Sequence, residues 1–351
     1  MKFLIVGLGS MGKRRIRNLQ YLQAGELVGC DTRADRREEA ATRYGVETVA
    51  GLDEGFARQP DAVIISTPPD LHVVCAREAA RRGLHFFTEA GVMDEGIDEV
   101  LALLRRQPGV VGVPSCTMRY QAGPRAIKAA VKAGTVGTAL SFVYQSGQYL
   151  PDWHPWEDYR TFYVSRRATG ACREIVPFEL VWLTDVLGPI RSVTAFRGKL
   201  SDLETDIDDV YQCLLEFVSG VRGVLQVDVL ARAPVRHFRL LGSHGTVEWD
   251  AVARDVRVYT AATREWTRQD LASGTVEKGY AEWSAEEPYV AEMRDFVAAV
   301  RGQATFPHSF EEDGRLLRVL EAAEDSAVHG GRVVISESAA PSTSSATMVR
   351  S

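Results

Sequence analysis

The stretch Phe3-Leu-Ile-Val-Gly7-Leu-Gly9-Ser-Met-Gly12 decides the fold. Four apolar residues run into Gly-x-Gly-x-x-Gly, and a helical pattern, Lys13 to Gln23, opens directly behind it. Each glycine has a physical purpose in such a turn. Gly7 permits the tight strand-to-helix bend, Gly9 lets the backbone approach a pyrophosphate, and Gly12 lets the helix pack closely on the strand. Ser10 and Met11 fall inside the same cradle. Phosphates would sit at the helix N-terminus, where free N–H groups and the helix dipole favour anions.

The next apolar stretch, Glu26 to Cys30, reads as a second strand and ends in Asp31, 19 residues after Gly12. That is close to the spacing of the carboxylate that accepts the ribose hydroxyls of NAD. Arg33 and Arg36-Arg37 stand beside it and could turn toward a 2′-phosphate instead. The plain alternative is a structural glycine turn followed by an unrelated surface aspartate.

With 351 residues the chain is long enough for two domains, and 45% hydrophobic with 25% charged residues is ordinary for a soluble globular protein. A net charge of −6 argues against a general nucleic-acid surface. The basic clusters Lys13-Arg14-Arg15, Arg36-Arg37 and Arg81-Arg82 alternate with acids and read as solvated helix faces. Five scattered cysteines with no CxxC pair suit reduced thiols in the cytoplasm. No Cys/His cluster has metal-ligand spacing, so no metal is expected, and no apolar run approaches membrane-spanning length.

Along the chain, Arg36–Tyr44 is helical, and Ala62-Val-Ile-Ile-Ser66 is a short apolar strand that stops at Thr67-Pro68-Pro69-Asp70-Leu71-His72. A helix to Arg82, the strand His85–Thr88 leading to Glu89, a helix Asp94–Arg106 and the strand Val110–Pro114 follow. This alternation predicts a doubly wound parallel sheet. After Arg119 and a helix from Gly123 to Gly134, strands dominate: 139–149, 192–197, 211–217, 223–231, 238–241 and 256–259. Two amphipathic helices, Pro288–Val300 and Glu311–Val328, come next. The fold class expected is α/β, a Rossmann domain over 1–119 with an α+β domain over 120–335. The Ser/Ala/Thr-rich 336–351 reads as a disordered tail.

These motifs resemble the glucose–fructose oxidoreductase / inositol dehydrogenase (Gfo/Idh/MocA) family over about residues 1–335. The resemblance rests on the glycine turn, on Thr67-Pro68-Pro69-Asp70-Leu71-His72, on the Arg119 junction, on Gly242-Ser-His-Gly245-Thr and on Asp313-Gly314 with Glu321-Ala-Ala. It implies bound NAD(P) and oxidation or reduction of a sugar, cyclitol or sugar-nucleotide hydroxyl. It also implies an open antiparallel sheet that often forms oligomer contacts, hence a homodimer or homotetramer. Ser66, Thr67, Pro68, His72, Glu89 and Ala90 would then face the cofactor. Two departures stand out. Where the family usually carries Glu-Lys-Pro, this chain has Glu89-Ala90-Gly91. Where it tends to place Asp and His four apart, this chain has Glu174 and Phe178. Oxidising an alcohol needs a base for its proton, so both usual proton-transfer groups need replacements.

The segment Trp153-His154-Pro-Trp156-Glu157-Asp158-Tyr159-Arg160-Thr-Phe-Tyr163 is the first source of them. Trp153 and Trp156 offer faces for a sugar, and Glu157, Asp158 and Arg160 offer polar groups. His154, with Tyr159 and Tyr163 behind it, is the proton acceptor the sequence favours, because its ordinary pKa lies near neutrality. The alternative is packing with solvated charges. Arg173, Glu174 and Glu179 form the second source, with Arg119 as a further candidate for substrate. An arginine beside carboxylates could clamp a substrate acid bidentately or form a buried ion pair that only holds the domain. Pro177 fits a helix only in its first turn, so a loop is expected there. His237, His308 and His329 form no constellation.

The leading expectation is an NAD-dependent oxidoreductase of a carbohydrate, cyclitol or nucleotide-linked sugar. An NAD-retaining epimerase, lyase or glycoside-cleaving enzyme is the second, and a non-catalytic NAD-binding sensor the third.

Overall fold

A computed structural model describes residues 1–92, 95–154, 157–272, 274–276 and 285–335. The first half alternates strand and helix: β1 (Lys2–Val6), α1 (Ser10–Tyr21), β2 (Glu26–Cys30), α2 (Ala34–Tyr44), β3 (Glu47–Val49), α3 (Leu52–Ala57), β4 (Ala62–Ile65), α4 (His72–Arg81), β5 (His85–Thr88), α5 (Ile97–Arg106) and β6 (Gly112–Pro114). All six strands are parallel, in the order β3-β2-β1-β4-β5-β6. Strand order reverses between β1 and β4, and ligands of such sheets bind outside the strand C-termini at that point. The sheet is buried on both faces; β4 has no exposed residue, which is why it reads as an unbroken apolar run.

The second half holds α6 (Ala122–Lys132), β7 (Ala139–Tyr149), α7 (Ala171–Leu187), β8 (Ile190–Gly198), β9 (Val210–Phe217), β10 (Arg222–Asp228), β11 (Leu230–Gly242), β12 (Gly245–Asp250), β13 (Asp255–Thr260), β14 (Glu265–Asp270), α8 (Glu287–Val300), α9 (Phe310–His329) and β15 (Val333–Val334). Its nine strands run β14-β13-β12-β11-β7-β10-β9-β8-β15, and only β10 with β7 is parallel. One face packs an aromatic cluster, Tyr144, Trp182 and Phe238, with Trp182 4.9 Å from Phe238. The other face leaves Leu140, Val143, Phe196, Leu214 and Leu241 exposed.

The chain then returns to the first sheet. Phe296 of α8 packs on Phe87 and Phe310 of α9 on Phe86, each with ring centres 5.7 Å apart. α9 starts with a reciprocal cap in which Ser309 and Glu312 each bond the other's backbone N–H.

Three readings of the sequence are corrected. α7 is helical through Pro177, because Ile175, Val176, Leu180, Trp182 and Leu183 are buried and outweigh the hydrogen bond that proline removes. Arg14 and Arg15 are buried rather than solvated, at 3% and 0% exposure. β12 and β14 are strands that the sequence pattern did not announce. The expected tail, 336–351, lies outside the described residues.

Candidate functional site

The C-terminal ends of β1, β4 and β5, the start of α1, the end of β7, the segment after it and the first turn of α7 enclose one cleft of about 740 Å³. Its nucleotide wall follows from the glycines. Gly7 has φ +90°, and a Cβ there would stand 2.5 Å from the Ser66 carbonyl oxygen. A Cβ on Gly12 would stand 1.8 Å from the Gly7 oxygen, whereas one on Gly9 would meet only the Arg36 guanidinium at 3.6 Å. Gly7 and Gly12 are thus fixed by packing, and Gly9 keeps its backbone open to a ligand. No side chain caps α1, so its first N–H groups are available to a pyrophosphate. These features fit a dinucleotide.

Asp31, at the end of β2, is 8% exposed; its carboxylate accepts the N–H of Leu8 and of Arg33, both at 2.8 Å. Arg36 lies 3.7 Å from it and lines the cleft, while Arg33 lines the cleft too but holds Asp35 in a two-pronged pair. Ser10, Met11, Ser66, Thr67, Pro68, His72, Glu89 and Ala90 all line the same cleft. His72 lies against the Thr67 carbonyl oxygen, with Nε2 2.8 Å away, and burial lowers its pKa.

Glu89 is held by a residue that sequence reasoning dismissed. Arg15, wholly buried in α1, donates Nε and Nη2 to its two oxygens at 2.7 and 2.8 Å, and also meets Glu292 of α8 at 2.9 Å. Glu292 in turn accepts from Ser115, Thr117 and the Cys116 N–H. The signal was present: Arg15 directly precedes Ile16 and lies four before Leu19 on the buried face of α1.

The substrate wall is built by α7 and the segment before it. Glu174 stands in the first turn of α7, with Tyr163 Oη donating to its Oε1 at 3.3 Å. Its Oε2 is buried and has no hydrogen-bond partner among the described residues. A helix N-terminus favours a carboxylate, as does the tyrosine, yet burial outweighs both and pushes the acid up to about 7, with Glu89 adding to the shift. His154 stacks on Phe162 with ring centres 5.6 Å apart, its Nδ1 4.0 Å from Glu157. Burial lowers its pKa against the pull of Glu157. Trp153, His154, Glu157, Tyr163, Glu174 and Phe178 line the cleft; Trp156 lies outside the described residues.

Other sequence candidates lie elsewhere. Asp158 caps a short turn over 159–161, accepting the Arg160 N–H, and Arg160 pairs with Asp158 and Glu204 at the surface. Tyr159, in that turn, packs against the core. Arg173 is bolted to Glu324 at 2.7 Å and to the carbonyls of Val92 and Ala168. Arg119 is spent on the Val181 and Pro307 carbonyls and on His308. Glu179 is wholly buried and accepts from Tyr144 at 2.5 Å, Ser146 at 2.8 Å, Trp182 at 3.2 Å and Arg236 at 2.9 Å. All six side chains are consumed by structure. Sequence reasoning missed Arg236, Gln148, Arg166 and Tyr289, which line the cleft from elements distant in the chain.

Unpartnered buried atoms gather here. Thr67 Oγ1, His72 Nδ1, Trp153 Nε1, Glu174 Oε2 and Arg236 Nε have no hydrogen-bond partner among the described residues, and all five residues line the cleft. Such groups are costly unless a ligand completes them. Among the described residues no group of His, Cys, Asp and Glu could hold a metal, and no helix is long and apolar enough to cross a membrane.

Comparison with known proteins agrees with this architecture. Residues 1–115 match the family described as "Oxidoreductase family, NAD-binding Rossmann fold", and residues 124–248 match "GFO/IDH/MocA C-terminal domain". The chain is 26% identical over 349 residues to inositol 2-dehydrogenase 3 of Saccharopolyspora erythraea, covering 94% of each. It is 28% identical over 138 residues to the 4-carboxy-2-hydroxymuconate-6-semialdehyde dehydrogenase of a Sphingobium strain, 38% of this chain and 44% of that one, so that match spans under half of the relative. The structure of levoglucosan dehydrogenase with NADH and levoglucosan superposes with a TM-score of 0.80 at 18% identity, over 95% of this chain and 99% of that one. That likeness speaks to the fold.

Proposed function

The chain belongs to the GFO/IDH/MocA oxidoreductase family, with an NAD-binding Rossmann domain, and on that premise we propose that it oxidises a hydroxyl of a carbohydrate or cyclitol, free or nucleotide-linked, with Glu174 as proton acceptor. The observation that carries this reading is the Glu174 carboxyl, buried in the cleft with one oxygen on Tyr163 and the other unpartnered. An acid near 7 is poised to take a proton at neutral pH and return it. The relatives named above act on inositol and bind levoglucosan, which supports a polyhydroxylated substrate.

NAD, when bound, supplies the hydride acceptor. The glycine turn and the α1 amides would hold its pyrophosphate, and Asp31 its adenosine ribose. Arg15 fixes the Glu89 carboxylate, which lines the cleft. The substrate hydroxyl gives its proton to Glu174 Oε2, with Tyr163 keeping the carboxyl oriented through Oε1. His154 and Trp153 close the sugar side. This differs from the sequence preference for His154, whose ring is engaged by Phe162 and Glu157.

The test is a panel of sugars, sugar acids, cyclitols and sugar nucleotides with NAD. One NADH should form per product. Product without lasting NADH absorbance would replace this reading with the NAD-retaining one. NADH should also bind more tightly than NADPH by calorimetry, because Asp31 would repel a 2′-phosphate; the reverse order would assign Arg36 to that phosphate. The exposed apolar face around Leu140, Val143, Phe196 and Leu214 suits a second copy of the chain. Sedimentation should show a dimer or tetramer, a monomer contradicting it. The five buried free cysteines suit a cytoplasmic setting.

A further inference from the structure

Arg236 projects from β11, opposite Ser146 of β7 in the ladder. It bonds Glu179 at 2.9 Å through one terminal nitrogen. Glu179 already accepts from Tyr144, Ser146 and Trp182, so that single N–H completes it. The rest of the arginine is not used up. Nε is buried without a hydrogen-bond partner among the described residues, while the side chain stays 20% exposed and lines the cleft.

A guanidinium carries five N–H donors in a rigid fork that matches planar oxyanions. Tethered at one terminal nitrogen to a buried carboxylate, this fork is restrained before a ligand arrives, so less freedom is lost on binding. Its position is informative. Arg236, Gln148 and Ile175 line both the cleft and a small pit beside it, and Ile175 follows Glu174. Trp153, whose Nε1 has no hydrogen-bond partner among the described residues, lines the same cleft as Arg236 and Glu174.

We propose that Arg236 binds an acidic group of the substrate, a carboxylate or a phosphate, so that the enzyme takes an acidic sugar in preference to its neutral counterpart. This rests on the dehydrogenase reading above and names its substrate class. A neutral hydroxyl can accept from Arg236 as well, but only an oxyanion uses two parallel N–H groups at once.

The experiment is calorimetric titration of the full chain, saturated with NADH. Hexuronates, hexose 6-phosphates, the matching neutral hexoses and inorganic phosphate are the titrants. An acidic sugar should bind at least about 10-fold more tightly than its neutral partner, a difference typical of charge-assisted bidentate pairing. The uronate and phosphate arms tell which oxyanion fits, and inorganic phosphate should bind far more weakly than either. Replacing the pair together, Glu179→Gln with Arg236→Met, avoids a lone buried charge and should abolish the preference, so that an acidic sugar binds no more tightly than its neutral partner. Arg236→Lys keeps the charge, loses the fork and should lose most of the preference; it decides the matter if the double variant does not fold. Equal binding of acidic and neutral sugars, with NADH still formed, overturns the inference and leaves the dehydrogenase reading standing. So does a preference that survives Arg236→Lys intact. Failure of every sugar to bind or turn over removes both.

Discussion

Glu174 and Glu179 stand five residues apart on one helix, Glu179 wholly buried and Glu174 half-buried at the cleft. Five residues turn an α-helix by about 140° net, so the two carboxylates leave opposite faces of α7. Glu179 enters the C-terminal core and collects four donors, one of them cationic. Glu174 enters the cleft, where a tyrosine at 3.3 Å is its hydrogen-bond partner and one oxygen has none among the described residues. The saturated group is a fold device. The other is the group proposed to carry the chemistry, and burial raises its pKa, with Glu89 adding to the shift.

The contrast can be broken most forcefully at Glu179. Glu179→Ala leaves Arg236, Tyr144 and Trp182 facing a cavity, and loss of one partner of a buried pair costs roughly 3–5 kcal/mol. The expected result is a large drop in thermal midpoint, with NADH affinity of the remaining folded protein unchanged. Activity lost at wild-type stability would instead place Glu179 in the site.

Glu174→Gln should do the opposite. Turnover should fall by about 10² or more, the contribution typical of a positioned acid or base. Stability should rise at alkaline pH. A folded-state pKa near 7 exceeds the ordinary 4.5, so the wild-type stability contribution is full below 4.5 and is lost as pH rises to 7. Above that, the ionised carboxylate costs on the order of 3 kcal/mol, which the amide escapes. The variant should melt higher than wild type at pH 8 and alike at pH 4.5, measured by calorimetry.

His154→Ala is expected to lower turnover by about tenfold or less, short of what loss of the acid–base group itself costs. A loss as deep as that of Glu174→Gln would return the proton to His154. Tyr163→Phe has the smallest effect. Its hydroxyl bond favours ionised Glu174, so removing it should move the pH–rate midpoint upward by less than about one unit.

Much of this was legible in the sequence and some was not. The glycine turn, the β4 run and Asp31 are local signals, in which neighbours in the chain are neighbours in the site. Glu174 could be nominated by its chain position, but nothing local separated it from Glu179, because Pro177 argued for a loop where burial imposes a helix. Asp158 and Arg160 look like sugar ligands in composition; only the turn they cap shows that they bind each other. Arg15 looked solvated because its partners, Glu89 and Glu292, are 74 and 277 residues away in sequence. Arg236 likewise acquires meaning only when β11 pairs with β7.

The most direct measurement is the ionisation of Glu174 itself. Infrared difference spectra of the NADH-bound enzyme, wild type against Glu174→Gln, would follow the protonated carboxyl band between pH 4 and 9. A band that disappears with a midpoint within about one unit of 7 is the predicted result. A carboxyl already ionised at pH 5 would contradict it, and with it the assignment of Glu174 as the proton acceptor.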